Sequence, residues 1–140
     1  MDASQILQPV FVLGLLSVVM FVWMLVTRIP AMIKAGISAQ GARDTSQLKS
    51  LPPGVVQIAD NYNHLFEQPT LFYATAIAIA VLGHVDALHV QCAWAFAGLR
   101  IAHSAVQATV NIVMIRLGLF LTAWVVLAIM IIRELLAGFG

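Results

Sequence analysis

Four apolar stretches, each long enough to cross a lipid bilayer, occupy most of this 140-residue chain. We predict membrane spans at about residues 6–28, 61–83, 87–110 and 112–133. An α-helix of roughly 20 apolar residues crosses a hydrocarbon core about 30 Å thick, and each stretch reaches that length. Because backbone groups in lipid must find hydrogen-bond partners within the chain, such stretches fold as helices. The sequence therefore predicts an all-α fold, an integral membrane four-helix bundle forming one domain over residues 1–140.

The composition agrees with this fold and excludes several classes of function. Hydrophobic residues make up 61% of the chain and charged residues only 9%, whereas about a quarter of a typical soluble domain is charged. The net charge of +1 comes without a basic patch outside the first connection, so we expect no nucleic-acid partner. Cys92 is the only cysteine, which rules out an intrachain disulfide and any paired-cysteine redox or zinc motif. We expect no metal site.

The basic residues predict how the bundle is oriented. Most of them lie on one face, in or beside the first connection (residues 29–60) and at the turn between the third and fourth spans. These residues are Arg28, Lys34, Arg43, Lys49 and Arg116. Only Arg133 lies at the opposite face. Since cytoplasmic segments are enriched in Lys and Arg, the long loop is expected in the cytoplasm, with both termini and the turn around His84 outside.

A polar stripe opens the second span. We interpret Asp60 as the N-cap of that helix. Asn63, His64 and Glu67 follow at helical spacing, and Pro69 is expected to bend the helix. At a rise of 1.5 Å per residue, Glu67 lies about 10 Å along the helix from Asp60. A carboxylate at that depth is costly unless another group meets it.

A second polar stripe lies at a similar depth on the third span. Its members recur at helical spacing and share one face of the helix. They are Arg100, His103, Ser104, Gln107 and Asn111. We expect this stripe to face the second span, so that Glu67 and Arg100 share a sheltered pocket reached from the cytoplasm.

Two interpretations of these stripes remain open at the level of the residues. A Glu67–Arg100 ion pair could neutralise two charges and simply hold two helices together, and His103 could be a hydrogen-bonded histidine of the bundle. Alternatively, the stripes could line a charged cleft for a polar ligand, because ionisable groups inside a membrane usually mark such sites.

The order and spacing of these motifs resemble those of the MAPEG family, the membrane-associated proteins of eicosanoid and glutathione metabolism. The resemblance rests on four spans with a long first loop and on three short motifs, and it is strongest to the bacterial branch. The motifs are Asn63…Glu67-x-Pro69 on the second span, Arg100-Ile101-Ala102-His103-Ser104 on the third, and Arg116 after it.

The resemblance implies a homotrimer in the bacterial inner membrane, with both termini periplasmic and glutathione bound in clefts between subunits. It implies a transferase or peroxidase acting on an apolar electrophile or a lipid hydroperoxide that enters from the membrane lipid. Arg116 would be catalytic, since a guanidinium beside a thiol raises the fraction of thiolate. The residues expected to bind glutathione are Arg28, Asn63, Glu67, Arg100, His103 and Gln107.

The chain departs from the family pattern at three places. The spacing from Asn63 to Glu67 is four residues, where that of the family is usually three. Members that use glutathione usually carry an arginine just before the Asn of the second helix, where this chain has Asp60, Asn61 and Tyr62. They also carry a tyrosine on the third helix near Gln107. An anionic tripeptide would therefore meet fewer cations here and one additional acid.

Other classes of protein remain as alternatives. The first is a non-catalytic, lipid-binding or structural membrane trimer. A small multidrug exporter also has four spans and one membrane glutamate, but its acid lies in the first span, which has none here. A haem-bearing anchor would need two facing histidines, for which only His64 and His103 lie at similar depth.

Overall fold

The computed structural model describes residues 2–138, and within that range all regular structure is helical, as predicted. A single 3₁₀ turn, Gly41–Arg43, lies in the first connection. The α-helices in chain order are α1 (Ala3–Lys34), α2 (Thr45–Lys49), α3 (Pro53–His64), α4 (Gln68–Leu82), α5 (Ala87–Ala108) and α6 (Val113–Gly138).

Three stretches are long and apolar enough to cross a membrane: α1, the segment Pro53–Leu82 that contains α3 and α4, and α6. They agree with three of the four predicted spans and support a multi-pass membrane protein. The remaining prediction corresponds to α5, a helix of 22 residues whose buried face carries polar side chains. The fourth predicted span corresponds to α6. The third corresponds to α5, and that α5 crosses the membrane stays a prediction.

The first connection is shorter than predicted because both helices that flank it are longer. Helix α1 continues through Pro30 to Lys34. Helix α3 begins at Pro53, and a proline at the first helical position loses nothing, since its missing N–H would have no partner there. The interpretation of Asp60 as an N-cap is therefore wrong, because Asp60 lies inside α3.

The second predicted span is interrupted rather than merely bent. Helix α3 ends at His64, and α4 begins at Gln68 with Pro69 in its first turn. Proline has no N–H to donate, and its ring clashes with the preceding turn of a continuous helix. The three residues Leu65, Phe66 and Glu67 therefore form a break, and Glu67 adopts a non-helical backbone as the N-cap of α4.

Apolar packing holds α4, α5 and α1 together beyond the break. The rings of Phe72 on α4 and Phe96 on α5 are stacked with their centroids 4.4 Å apart, and both are fully buried. Leu13 of α1 and Leu127 of α6 belong to the same core. This packing turns the polar face of α5 towards the break.

A side chain of α3 fixes the other end of α5. The Gln57 amide donates to the carbonyl oxygens of Ala108 and Thr109 at 3.2 and 3.0 Å, which satisfies carbonyls that a helix end leaves free. The chain then turns through Asn111, whose φ of +51° is tolerated better by asparagine than by most residues. The start of α6 is thereby placed beside the break.

The outer faces of α1 and α6 carry large exposed apolar side chains, such as Phe11, Leu15, Val125 and Leu136. Contiguous apolar surface on this scale marks contact with lipid or with other apolar surfaces. These helices are therefore suited to contact the membrane lipid.

Candidate functional site

A cavity of about 240 Å³ lies at the break, between α5 and the first turns of α6. We call it the break cavity. Its polar wall is formed by His64, Glu67, Arg100, His103 and Arg116. Its apolar wall is formed by Val113, Leu117 and Phe120 of α6. The structure thus brings together four residues that the sequence singled out, Glu67, Arg100, His103 and Arg116.

Arg100 is the most deeply buried of these residues, with only 1% of its surface exposed. Its Nη2 donates to the carbonyl oxygen of His64 at 3.4 Å, and that oxygen also accepts from the backbone N–H of Glu67 at 3.3 Å. Its Nη1 lies 3.3 Å from the Gln68 amide oxygen. Turned over, that amide oxygen would instead accept from the N–H groups of Trp124. In that orientation only the His64 carbonyl oxygen remains as an acceptor for Arg100, so in either orientation the Arg100 guanidinium donates to neutral oxygens only.

The Glu67–Arg100 ion pair considered from the sequence is not formed: among residues 2–138, no basic side chain lies within 4.0 Å of the Glu67 carboxylate. The helix break is the reason. Glu67 does not continue the face of α3 but caps α4, and its side chain is exposed at the cavity. Acid and guanidinium therefore share a cavity without neutralising each other directly.

Two histidines face each other across the polar wall. The rings of His64 and His103 have centroids 6.5 Å apart and planes inclined by 60°. His64 Nδ1 lies 3.1 Å from Oε1 of Gln107, which is itself buried. His103 is also buried, and its Nδ1 has no hydrogen-bond partner in the described part of the chain. Gln107 therefore does not line the cavity itself but contacts His64, which does.

Arg116 is held at the start of α6 by the preceding turn. Its Nη1 donates to the Asn111 side-chain oxygen at 2.6 Å. Within residues 2–138, the Nε atoms of both Arg116 and Arg100 are buried without a hydrogen-bond partner. The break cavity therefore holds two guanidiniums with donor capacity that the described residues leave unused.

Besides Gln107, two more residues expected to bind glutathione lie outside this cavity. Arg28 is half-buried on α1, and Asn63 is exposed on α3. The neighbouring Asn61 is fully buried instead, and neither polar atom of its amide has a partner among the described residues. His64 is the site residue that sequence reasoning missed. Its place in the polar stripe is the available signal, but the family motifs that predict the glutathione-binding residues do not include it.

A second polar cluster lies at the opposite end of the bundle, where the turn between α4 and α5 meets the end of α6. We call it the far-end cluster; its members are His84, Asp86, His89, Arg133 and Glu134. Arg133 donates to both oxygens of Asp86, at 2.5 and 3.2 Å. His84 Nδ1 lies 2.8 Å from Glu134 Oε2. Nδ1 of the buried His89 donates to the His84 carbonyl oxygen at 3.0 Å.

Asp86 is also the N-cap of α5, since its Oδ1 accepts from the backbone N–H of His89 at 2.8 Å. This backbone hydrogen bond, followed by the one from Arg133, lowers the pKa of the Asp86 carboxyl below its ordinary value. Both bonds favour the charged form of the carboxyl. The far-end cluster thus pairs each charge with a partner and joins the turn to α6.

Neither cluster resembles a site for a resident metal or haem. Among residues 2–138, no group of three or more His, Cys, Asp or Glu side chains is arranged to hold a metal ion. His64 and His103 do lie close together, but the 240 Å³ of the break cavity is below the about 300–1,000 Å³ of typical small-molecule sites. A haem is larger than most such ligands, and a Soret band in the purified protein would reveal one.

Comparison with known proteins identifies the family. No curated protein and no solved structure matches the chain. The model of the MAPEG family matches residues 6–136, which is nearly the whole sequence. This match agrees with the membrane-spanning helices and with the resemblance drawn from the motifs around Glu67, Arg100 and Arg116. The chain belongs to the MAPEG family.

Proposed function

We propose that this protein binds glutathione in the break cavity and uses its thiolate to attack an apolar electrophile or to reduce a lipid hydroperoxide. The observation that carries the proposal is the pair of guanidiniums, Arg100 and Arg116, that face one cavity and donate only to neutral acceptors.

The charges favour an anionic ligand. Removing a cation from water costs several kcal/mol, and that cost is recovered only if an anion or a dense set of acceptors meets it. Arg100 is buried and has at most two hydrogen bonds, both long and both to neutral oxygens. Glutathione carries two carboxylates and, once ionised, a thiolate, so it would supply the missing negative charge.

Glu67 adds a negative charge to the cavity, which a ligand that carries only negative charge would not need. Its carboxylate is exposed at the cavity and has no basic partner within the described range. A ligand with an ammonium group beside its carboxylates, as in the glutamyl end of glutathione, satisfies both the acid and the guanidiniums. The mixed charge of the cavity therefore supports a zwitterionic peptide over a plain anionic lipid head group.

The apolar wall supports a second, hydrophobic substrate. Val113, Leu117 and Phe120 lie on α6, whose outer face is apolar. An apolar electrophile dissolved in the bilayer could reach the thiolate along this side without crossing water. Because the cavity is smaller than a typical ligand site, we expect the peptide to extend beyond it towards a neighbouring subunit of a homotrimer.

Arg116 is the residue that we assign to the thiolate. It lies at the cavity on the same helix as the apolar wall, so a sulfur beside its guanidinium would also be beside the apolar substrate. A nearby cation stabilises the thiolate, which is the nucleophilic form of the thiol. Conjugation then forms a carbon–sulfur bond and releases the leaving group of the electrophile.

The proposal is tested by turnover in liposomes. Purified protein should consume glutathione in the presence of an apolar aryl halide or a lipid hydroperoxide. S-methylglutathione, which has the same charges but no ionisable thiol, should inhibit competitively and yield no product. Binding of S-methylglutathione with no turnover of glutathione on any electrophile would favour the non-catalytic, ligand-binding alternative.

A further inference from the structure

We infer that His64 is the base that takes the proton from the ligand's thiol, and that Gln107 is a positioning residue that fixes the tautomer of His64. The inference rests on the proposed function and extends it. Arg116 can stabilise a thiolate, but a guanidinium has no lone pair to accept a proton. The reaction therefore needs a separate group to receive it.

The contact between His64 and Gln107 determines which ring nitrogen is available. An amide oxygen only accepts hydrogen bonds, so with the Gln107 amide turned to place Oε1 3.1 Å from Nδ1 of His64, it is Nδ1 that carries the hydrogen. In a neutral imidazole the other nitrogen, Nε2, then bears the lone pair. Gln107 is 1% exposed, which limits the movement of its amide. The pair thus resembles the base and orienting group of other activated nucleophiles.

The helix break places this ring at the cavity. His64 is the last residue of α3, and its own carbonyl oxygen accepts from Arg100 Nη2. His64 lines the cavity together with Arg116, the residue assigned to the thiolate. The charged and titratable groups that face it are Glu67 at the break, Arg100 and His103 on α5, and Arg116 on α6.

The other three histidines are less suited to this role. The Nδ1 atoms of His84 and His89 face Glu134 and a backbone carbonyl in the far-end cluster, away from the cavity. His103 lines the cavity, but its Nδ1 has no partner among residues 2–138 that would fix a tautomer. His64 alone combines a place in the cavity wall with a defined hydrogen-bond acceptor, in the part of the chain that the structure describes.

The chemical step balances within the named groups. The S–H bond of glutathione breaks, its proton forms an N–H bond at Nε2, and the thiolate is left beside Arg116. The electron pair on sulfur then forms the bond to the carbon of an aryl halide, and the halide leaves with the electrons of the broken bond. The imidazolium returns its proton to water, which restores His64.

His64→Gln tests this assignment, since glutamine is polar but cannot act as a base at this position. In the full-length protein, kcat at neutral pH should fall by about 100-fold, the lower end of what acid–base catalysis contributes. The loss should shrink as the pH rises and glutathione ionises without help. Affinity for S-methylglutathione, which has no thiol proton, should change less than about threefold, on the order of 0.6 kcal/mol.

Further variants separate catalysis from structure. His64→Ala should be partly rescued by added imidazole, whereas a merely structural histidine would not respond. Gln107→Leu should lower kcat and shift the pH profile, and Gln107→Glu, which keeps an acceptor oxygen, should restore part of the rate. His84→Gln, in the far-end cluster, is the matched control and should leave kcat and its pH dependence unchanged.

The outcomes distinguish this inference from the proposed function. If wild-type protein turns over glutathione and His64→Gln does so at the same rate with the same pH profile, the assignment of the base is overturned while the proposed function stands. If the wild type shows no thiol-dependent turnover, the proposed function is wrong, and the assignment of His64 as the base is wrong with it.

Discussion

The two ends of the bundle use charged and titratable residues in opposite ways. In the far-end cluster, Arg133 meets both oxygens of Asp86, and His84 meets Glu134. In the break cavity, Arg100 is almost fully buried and bonds only to neutral oxygens, while Glu67 remains exposed nearby. The charged groups of the far-end cluster are thus paired within the chain, although Nε2 of the buried His89 has no hydrogen-bond partner among residues 2–138. The break cavity instead keeps guanidinium donors that a ligand could use.

The charges of the far-end cluster therefore serve stability, whereas those of the break cavity serve binding. A paired cluster between the end of one helix and the turn of two others holds the elements in place. Buried cations without an acidic partner destabilise a fold unless something else meets them. Substitutions at the two ends should therefore affect different quantities: unfolding at the far end, and ligand binding and turnover at the break.

The largest effect is expected for Arg116→Ala. Removing a group that stabilises developing charge typically lowers kcat by about 10²–10³, and we expect a loss of that size with glutathione and an apolar electrophile. The unfolding temperature in detergent should change little, because Arg116 is only half-buried and makes a single side-chain hydrogen bond, to Asn111, within residues 2–138. Steady-state kinetics and thermal unfolding of the same sample measure both quantities.

Arg133→Ala is the matched control, because it removes the same residue type from the other end of α6. Because its ion pair with Asp86 is partly exposed, the substitution should lower the unfolding temperature only slightly, and it should leave kcat within about twofold of wild type, on the order of 0.4 kcal/mol in the barrier. Equal losses of kcat in Arg116→Ala and Arg133→Ala would remove the distinction between the two ends.

A smaller effect is expected for Asp86→Ala. The substitution removes the N-cap of α5 and the partner of Arg133, and loss of an N-cap costs about 1 kcal/mol. The exposed ion pair adds little to this figure. Thermal unfolding should register the change, with glutathione turnover unaffected. Asp44→Ala, which removes the cap of the five-residue helix α2 in the first connection, is the comparison and should cost less.

The smallest effect concerns pH. The pKa of Asp86 is lowered in the folded state, chiefly by the hydrogen bond from the His89 backbone and then by Arg133. Its contribution to stability is therefore complete above about pH 3.9, the ordinary Asp pKa, and is lost as the pH falls below that value. Asp86→Asn keeps a side-chain acceptor but should flatten the fall in unfolding temperature over this acidic range.

Part of that slope should remain in Asp86→Asn, because the pKa of Asp44 is also lowered, by the hydroxyl and the backbone N–H of Ser46. If Asp86→Asn and wild type lose stability in parallel below pH 3.9, the far-end pair does not depend on the charge of Asp86.

Much of this architecture could be predicted from periodicity alone. Apolar runs gave the helices, and helical spacing of polar residues correctly grouped Arg100 and His103 on one face. That face does meet Glu67 and Arg116 at one cavity. These predictions succeed because helix geometry determines which side chains share a face, whatever the details of packing.

The predictions that failed depended on competition between local signals. Asp60 is a good N-cap, but Pro53 starts the helix earlier, so Asp60 lies in its interior. Pro69 is expected to bend one helix, but the structure has two helices with a break between them. Because of this break, Glu67 does not lie on the face of α3, and it forms no ion pair with Arg100. The sequence pattern alone does not show which helix-start or helix-break signal prevails, since that depends on the packing around these residues.

Long-range side-chain pairs were beyond the reach of the sequence. Asp86 and Arg133 belong to different helices, as do His64 and Gln107, and no periodicity connects them. Their contacts follow from how α5 packs against α6 and α3. The role inferred for His64 therefore became visible only in the structure.

The most direct test of the account is calorimetric titration of detergent-solubilised protein with glutathione, with wild type and Arg100→Met compared. The account predicts saturable heat for the wild type. For Arg100→Met it predicts none, together with an unfolding temperature that is equal or higher, because the variant no longer buries a cation without an acidic partner among residues 2–138. The absence of heat in the wild type at millimolar glutathione, or equal affinity in the two proteins, would contradict it.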